Sequence, residues 1–470
     1  MRKLHLLLVI SVIVGLLIAG CAPASPQIIE VEKVKPVEKV VIQTVEVEKP
    51  VEVEKVVEKP VEVEKVIEKV VVQTVEVEKI VEKVLAVEAV KIGELHPFTG
   101  ALSEFGEPEH KSALLAAKHL KEAGYAIATV FADTETSAIP GVEAARRLVE
   151  LEDVDILIGA ASSGQTLAVA QSVSIPSEVP EVSYASTTPL LTDLPADEGK
   201  DFLFRTCPSD SLQGIVLGKM LYDEGIRKAS VMYVNNAYGQ GLNDVFKETF
   251  ESLGGKVVAS VAHDEEPAAS YTAELKKATE GEPEVLLALT YPGQATVFLK
   301  EAIEGEFITE FRFCDGTQSL DIVEAVGAES VEGMCGTAAG AAESESLAAF
   351  EADYEEEYGE VPPLPYLDTT YDAVIVASLA AYEAQIAGEE LTPIAVRDHL
   401  RSVAGPPGEK VFAGVEGLKR ALALLREGKE IDYVGASGAV DFDENGDVVT
   451  PIEVWCYEGG DIVVERLETP

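Results

Sequence analysis

Asp155–Thr166, DILIGAASSGQT, passes from an apolar run through a glycine into small hydroxyl-bearing residues. Ile156–Ile158 read as a buried strand, and Ser162–Thr166 as the opening of a helix. The segment nearly fits the phosphate loop GxxxxGK[ST], but Gln165 stands where the lysine must be, so a nucleotide site is not expected. What remains is a turn whose backbone N–H groups and hydroxyls face a helix N-terminus, suited to a weaker anion such as a carboxylate. A plain strand-to-helix turn with no ligand would read the same way on this segment alone.

The same alternation extends in both directions. VKIGEL at 90, TVFAD at 129, SVMYVNN at 230, EVLLALTY at 284 and FRFCDG at 311 read as buried strands. Between them lie amphipathic stretches at 109–123, 142–151, 240–253 and 272–278. Strands alternating with helices predict an α/β fold with parallel sheets wound on both faces. More than 350 residues of this pattern exceed a single comfortable core, so two lobes are expected, with Arg205–Asp210 as the first crossover between them. Ligands in such folds sit at the carboxyl ends of the strands.

Ahead of this lie two other kinds of sequence. Arg2 and Lys3 precede the apolar run Leu4–Ala19, which ends in Ile18-Ala19-Gly20-Cys21. That is the anatomy of a secretory signal, too short for a spanning helix. Its end resembles the lipobox of bacterial lipoproteins, which implies cleavage before Cys21, lipidation of its thiol and an extracytoplasmic, lipid-anchored location. Residues 28–88 are nearly all Val, Glu, Lys and Pro, with KVVIQTVEVEK at 39 repeated as KVVVQTVEVEK at 69. Without aromatics and with Pro36, Pro50 and Pro60 interrupting any ladder, a solvated, extended stalk is favoured over a β segment. The net charge of -46 falls almost wholly beyond the stalk and excludes nucleic acid and anionic lipid as partners.

Further turns supply candidate binding groups, each with a bland alternative. Ser183–Pro189, SYASTTP, places hydroxyls after an apolar approach, although Ser and Thr cap helices without ligands. Tyr238 follows SVMYVNN at the mouth of a second lobe, and Asp315 ends FRFCDG, where a carboxylate can receive an ammonium or merely cap a helix. Asp441–Asp447, DFDENGD, imitates an EF-hand loop, but position 12 would be Ile452, so it reads as a hairpin turn around Asn445-Gly446. The six histidines form no ligand-spaced pair, no G-x-S-x-G elbow occurs, and neither a metal, a cofactor nor an enzyme activity is expected. Cys314 and Cys335 fall in what read as consecutive strands of one lobe and are the expected disulfide; Cys207 with Cys456 is a separate, second expectation.

In their joint order, HPFTGALSEFG at 96, IGAASSGQT at 158, SYASTTPLLT at 183, FRTCPSD at 204, YGQG at 238, Ser270-Tyr271, Asp315-Gly316 and YVGASGAVDFDENGD at 433 resemble the periplasmic-type binding proteins of branched-chain amino acid ABC transporters. The resemblance implies two doubly wound lobes joined by three crossovers, with an amino acid in the cleft. It divides the chain into a signal peptide (1–20), a stalk (21–89), a first lobe (90–206 and 338–438) and a second (207–337 and 439–470). By position, Ser163 and Ser186 would meet the ligand carboxylate through backbone groups, Thr187 through hydroxyl and N–H, and Asp315 the ammonium. Tyr238 and Tyr291 would line the second lobe and Phe105 the apolar wall. Asp315 stands where some members carry the longer Glu. A monomer is implied that delivers its ligand to an ABC permease and its ATPase subunits. A branched or other aliphatic amino acid, an amide or urea-type ligand, and a sensor for a signalling partner all stay open.

Overall fold

The computed structural model describes residues 85–469 and, ahead of them, only the strands Gln27–Ile29, Val40–Glu46 and Lys69–Val75. The signal segment and Cys21 lie outside the described residues. Val40–Glu46 and Lys69–Val75, the two copies of the repeat, pair antiparallel, with Gln43 opposite Val72. Over these two segments the chain is a β ladder, where composition favours an unpaired spacer.

The folded part carries two parallel sheets. The first is built from β1 (Lys91–His96), β2 (Ala128–Asp133), β3 (Ile156–Ile158), β4 (Glu181–Ser183) and β5 (Leu203–Arg205), in the order β2-β1-β3-β4-β5. The second has β6 (Lys228–Val234), β7 (Lys256–His263), β8 (Val285–Leu289) and β9 (Phe311–Arg312), in the order β7-β6-β8-β9. In each sheet the first strand sits inside, so the chain leaves it in opposite directions and opens a crevice at the carboxyl ends. Helices α1 (Ser103–Ala123), α2 (Ala138–Glu150) and α3 (Ser163–Val169) serve the first sheet; α4 (Asp210–Asp223), α5 (Ala237–Ser252), α6 (Thr272–Thr279) and α7 (Pro292–Glu304) serve the second. Helix α1 begins six residues before the predicted start because it runs through Pro108.

Each sheet buries its own core. Leu95, Leu148, Leu157, Val169 and Val173 fill the first; Met232, Leu286, Phe298, Phe311, Phe313 and Trp455 fill the second. Beside the first sheet, α8 (Leu367–Ala387) is buried along most of its length. Its Asp372 is accommodated there because Tyr433 Oη, Ser437 Oγ and the N–H groups of Ala436 and Ser437 all donate to its carboxylate, at 2.6–2.9 Å. Burial still pushes Asp372 above the usual carboxylate range.

Two expectations change here. FRFCDG forms only the two-residue β9, because the chain then turns sharply at Asp315–Thr317, where a side chain at Gly316 would meet Thr290 O at 2.4 Å. The Cys314–Cys335 disulfide does not form, and neither does Cys207–Cys456. Cys335 starts β10 (Cys335–Ala339), which pairs antiparallel with β11 (Ile452–Glu458), a strand absent from the sequence reading. Cys335 therefore faces Cys456 at a Cα separation of 4.0 Å, and those two are bonded. Cys314 is instead buried, its thiol 3.3 Å from Ala288 O, and Cys207 is a buried free thiol.

Candidate functional site

The carboxyl ends of both sheets meet around a small cavity of about 30 Å³. Its wall is Leu102, Phe105 and Glu109 from the α1 region, Ala161, Ser162 and Ser163 after β3, Ala185 after β4, Tyr238 and Tyr291 after β6 and β8, Asp315 and Gly316 after β9, and Tyr366. Gly159, at φ +125°, makes the turn after β3 possible, since a Cβ there would lie 2.6 Å from Leu95 O. The two sides touch. Ser162 Oγ lies 3.2 Å from Tyr291 Oη, and Thr188 Oγ1 donates to Ala237 O at 2.9 Å.

Asp315 is buried at one wall. Its Oδ1 accepts from Gln213 Nε2 and Tyr238 Oη, and its Oδ2 from Tyr366 Oη, all at 2.7 Å. All three donors are neutral, and no described lysine, arginine or histidine pairs with this carboxylate. Burial raises its pKa, and the three hydrogen bonds oppose that rise. Asp210 lies at the start of α4 with its Oδ1 unpartnered, and burial together with the charge of Asp315 pushes it well above the carboxylate range. Neither carboxyl group is ion-paired among the described residues, although the charge of Arg205 partly offsets the rise at Asp210.

Of the sequence candidates, Ser163, Tyr238, Tyr291, Asp315 and Phe105 come together on the cavity wall. Ser186 and Thr187 do not line it. Ser186 N–H donates to Ser183 Oγ and its hydroxyl to Ala160 O and Ala161 O, so both groups serve the loop itself. The Thr187 hydroxyl donates to Asp210 Oδ2 at 2.9 Å, while its backbone N–H has no partner among the described residues. The Thr187 hydroxyl, expected to meet the ligand, is thus engaged by Asp210 instead. DFDENGD forms a turn closed by Asp443 N–H donating to Asp447 O, but paired strands do not flank it, so it is no hairpin. Its Asp447 accepts two hydrogen bonds from the buried Arg205, each at 2.7 Å, and Arg205 Nη1 donates to Ser186 O and Thr188 O. This fork fixes the loop behind the cavity.

Sequence reasoning missed Glu109, Tyr366, Gln213 and Ser162. Glu109 was discoverable, because Leu102, Phe105 and Glu109 recur at three- and four-residue spacing and so share one helix face. It also missed a buried network: His96 Nε2 and His110 Nδ1 both approach Glu94 Oε2, at 3.1 and 2.8 Å. Burial lowers the His96 pKa and the carboxylates of Glu109 and Glu94 more than restore it, to about 9.

Comparison with known proteins agrees with this architecture. The model of the family described as "Periplasmic binding protein" matches residues 89–421. The chemotactic signal transduction system substrate-binding protein BasB of Halobacterium salinarum is 27% identical over 368 residues, 76% of this chain and 84% of that one. The leucine binding protein LivK of Thermotoga maritima MSB8 has a TM-score of 0.67 at 25% identity, covering 81% of this chain and 99% of its own. A solute-binding protein of an ABC transporter from R. palustris, solved with benzoate, has a TM-score of 0.66 at 18% identity, over 81% and 97% of the two chains, and shows the shared fold. Two parallel-sheet lobes enclosing a cavity at their carboxyl ends, matched by that model over most of the folded residues, make this chain a member of the periplasmic binding protein family.

Proposed function

We infer that the chain is an extracytoplasmic solute receptor that closes over an α-amino acid and delivers it to an ABC permease. The observation that carries this reading is Asp315: a buried carboxylate, gathered by three neutral donors, at the wall of a cavity that lacks a cation. A ligand ammonium supplies the missing charge. Ser163, on the cavity wall at the start of α3, is the group available to its carboxylate. Closure of the lobes is the signal a permease reads. The Halobacterium relative favours a second reading, in which the same closed form is read by a chemotactic signalling partner. The folded part is held to the membrane through Cys21, and among the described residues no helix is long and apolar enough to cross a membrane.

A thermal-shift screen of amino acids, amides and aromatic acids, followed by calorimetry on the hits, tests the ligand class. Micromolar binding of an α-amino acid is expected; binding confined to amides or aromatic acids overturns the reading. Cys21→Ala should release the protein from membranes with its fold unchanged, and membrane retention of the cleaved variant removes the anchor.

A further inference from the structure

The cavity holds a second carboxylate, and nothing in the capture of an amino acid backbone uses it. Glu109 lies one helical turn beyond Phe105 on the cavity-facing stripe of α1, in a lining that includes the apolar Leu102, Phe105, Ala161 and Ala185. Its Oε2 is occupied: Tyr184 Oη donates to it at 3.0 Å, and His96 Nδ1 lies 3.7 Å away. Its Oε1 has no hydrogen bond among the described residues. The neighbouring Glu94 provides the contrast, since its free Oε1 is sealed inside the protein, whereas Glu109 opens onto the cavity. The ion-pair network explains one Glu109 oxygen and leaves the other for an occupant. A buried carboxylate oxygen without a donor is costly, and an aliphatic side chain placed against it would leave it so.

We propose that Glu109 sets the side-chain preference of this site, and that the captured amino acid carries an N–H or O–H donor on its side chain instead of an aliphatic one. This rests on the amino acid reading of the cleft. Asp315 takes the α-ammonium, and Glu109 Oε1 accepts from the side chain. Rejection of an aliphatic competitor follows because its binding would desolvate Glu109 without a replacement partner.

The test is competition calorimetry on the chain from Cys21 onward, with L-glutamine, L-asparagine, L-threonine and L-lysine against L-leucine and L-isoleucine. At least one donor-bearing amino acid should bind about tenfold or more tightly than L-leucine, as a hydrogen bond to a charged group implies. Glu109→Gln, which keeps an acceptor for Tyr184, should erase most of that advantage. Glu109→Leu should reverse the preference; if it fails to fold, the glutamine variant decides. Preference of the wild type for L-leucine or L-isoleucine, or a ratio unmoved in Glu109→Gln, overturns the proposal. Asp315→Ala separates the two levels: loss of every amino acid there with an unmoved Glu109 ratio sinks the role of Glu109 alone, whereas a wild type that binds none of the six sinks the amino acid reading and this one with it.

Discussion

Replacing Asp315 by Ala separates binding from folding. In the complex, an ammonium in a closed cleft would lose its only charged partner, a loss on the order of 3 kcal/mol, or more than a hundredfold in affinity. In the free protein the terms oppose one another. Gln213, Tyr238 and Tyr366 each lose an acceptor, at about 1 kcal/mol apiece. Against this, the protein no longer buries a carboxylate that has no cation and that sits near Asp210, a relief of similar size. The free variant should therefore melt within a few degrees of wild type while its ligand-induced rise in melting temperature disappears. Wild-type affinity should also fall on acidification, because the raised pKa of Asp315 lets protons compete with the ligand cation. Calorimetry on the tightest amino acid, paired with thermal unfolding with and without it, measures both effects. Affinity of Asp315→Ala within a few-fold of wild type, or an apo melting temperature that collapses, would refute the reasoning.

Burial pushes Glu104, Asp368 and Glu453 up to about 7, so between their ordinary values and 7 the unfolded chain binds fewer protons than the folded one; stability of the free protein should fall as pH rises through that window, and denaturant midpoints at pH 5 and 7.5 check the sign. His96 acts in the same direction, its contribution being complete below about 6.5 and lost as pH rises through about 9. The Cys335–Cys456 disulfide closes a sequence separation of 121 residues, worth about 4–5 kcal/mol in the chain-entropy account; non-reduced peptide mapping should find that pair, with Cys207 and Cys314 alkylated only on unfolding. Arg205→Ala should lower stability by about 3 kcal/mol, since the mostly buried Asp447 loses its cation and keeps the Thr192 hydroxyl as its one side-chain donor among the described residues, and an unchanged melting temperature would count against the fork's role.

The strands and helices were legible wherever the apolar period was clean, as in SVMYVNN and EVLLALTY, which form β6 and β8. Asp315, Tyr238 and Ser163 were legible because they follow closely on strands, and the carboxyl ends of strands are where such folds place ligands. Ser186 and Thr187 were read for their type, but whether a hydroxyl faces a ligand or a carbonyl depends on rotamer and neighbours. Asp210, the partner of Thr187, sits 23 residues away. The cysteine pairing failed for a related reason. It is decided by which strand lies beside β10, and β11, its neighbour, comes from far along the chain. Glu94 with His96 and His110 escaped notice because residues sixteen positions apart met through a strand and a helix, not through a motif.

That distant pairing also governs how the molecule can be made. When β10 leaves the ribosome its open edge has no partner, and it must wait for more than a hundred further residues before β11 arrives. Until then Gly336 and Phe313 lack the cover of Trp455, which stacks on Phe313 with ring centroids 5.9 Å apart. The nascent second lobe is therefore a sticky, incomplete sheet carrying a reduced Cys335. Its completion is a late, non-local event, and a chain stalled before β11 should be a substrate for chaperones and proteases.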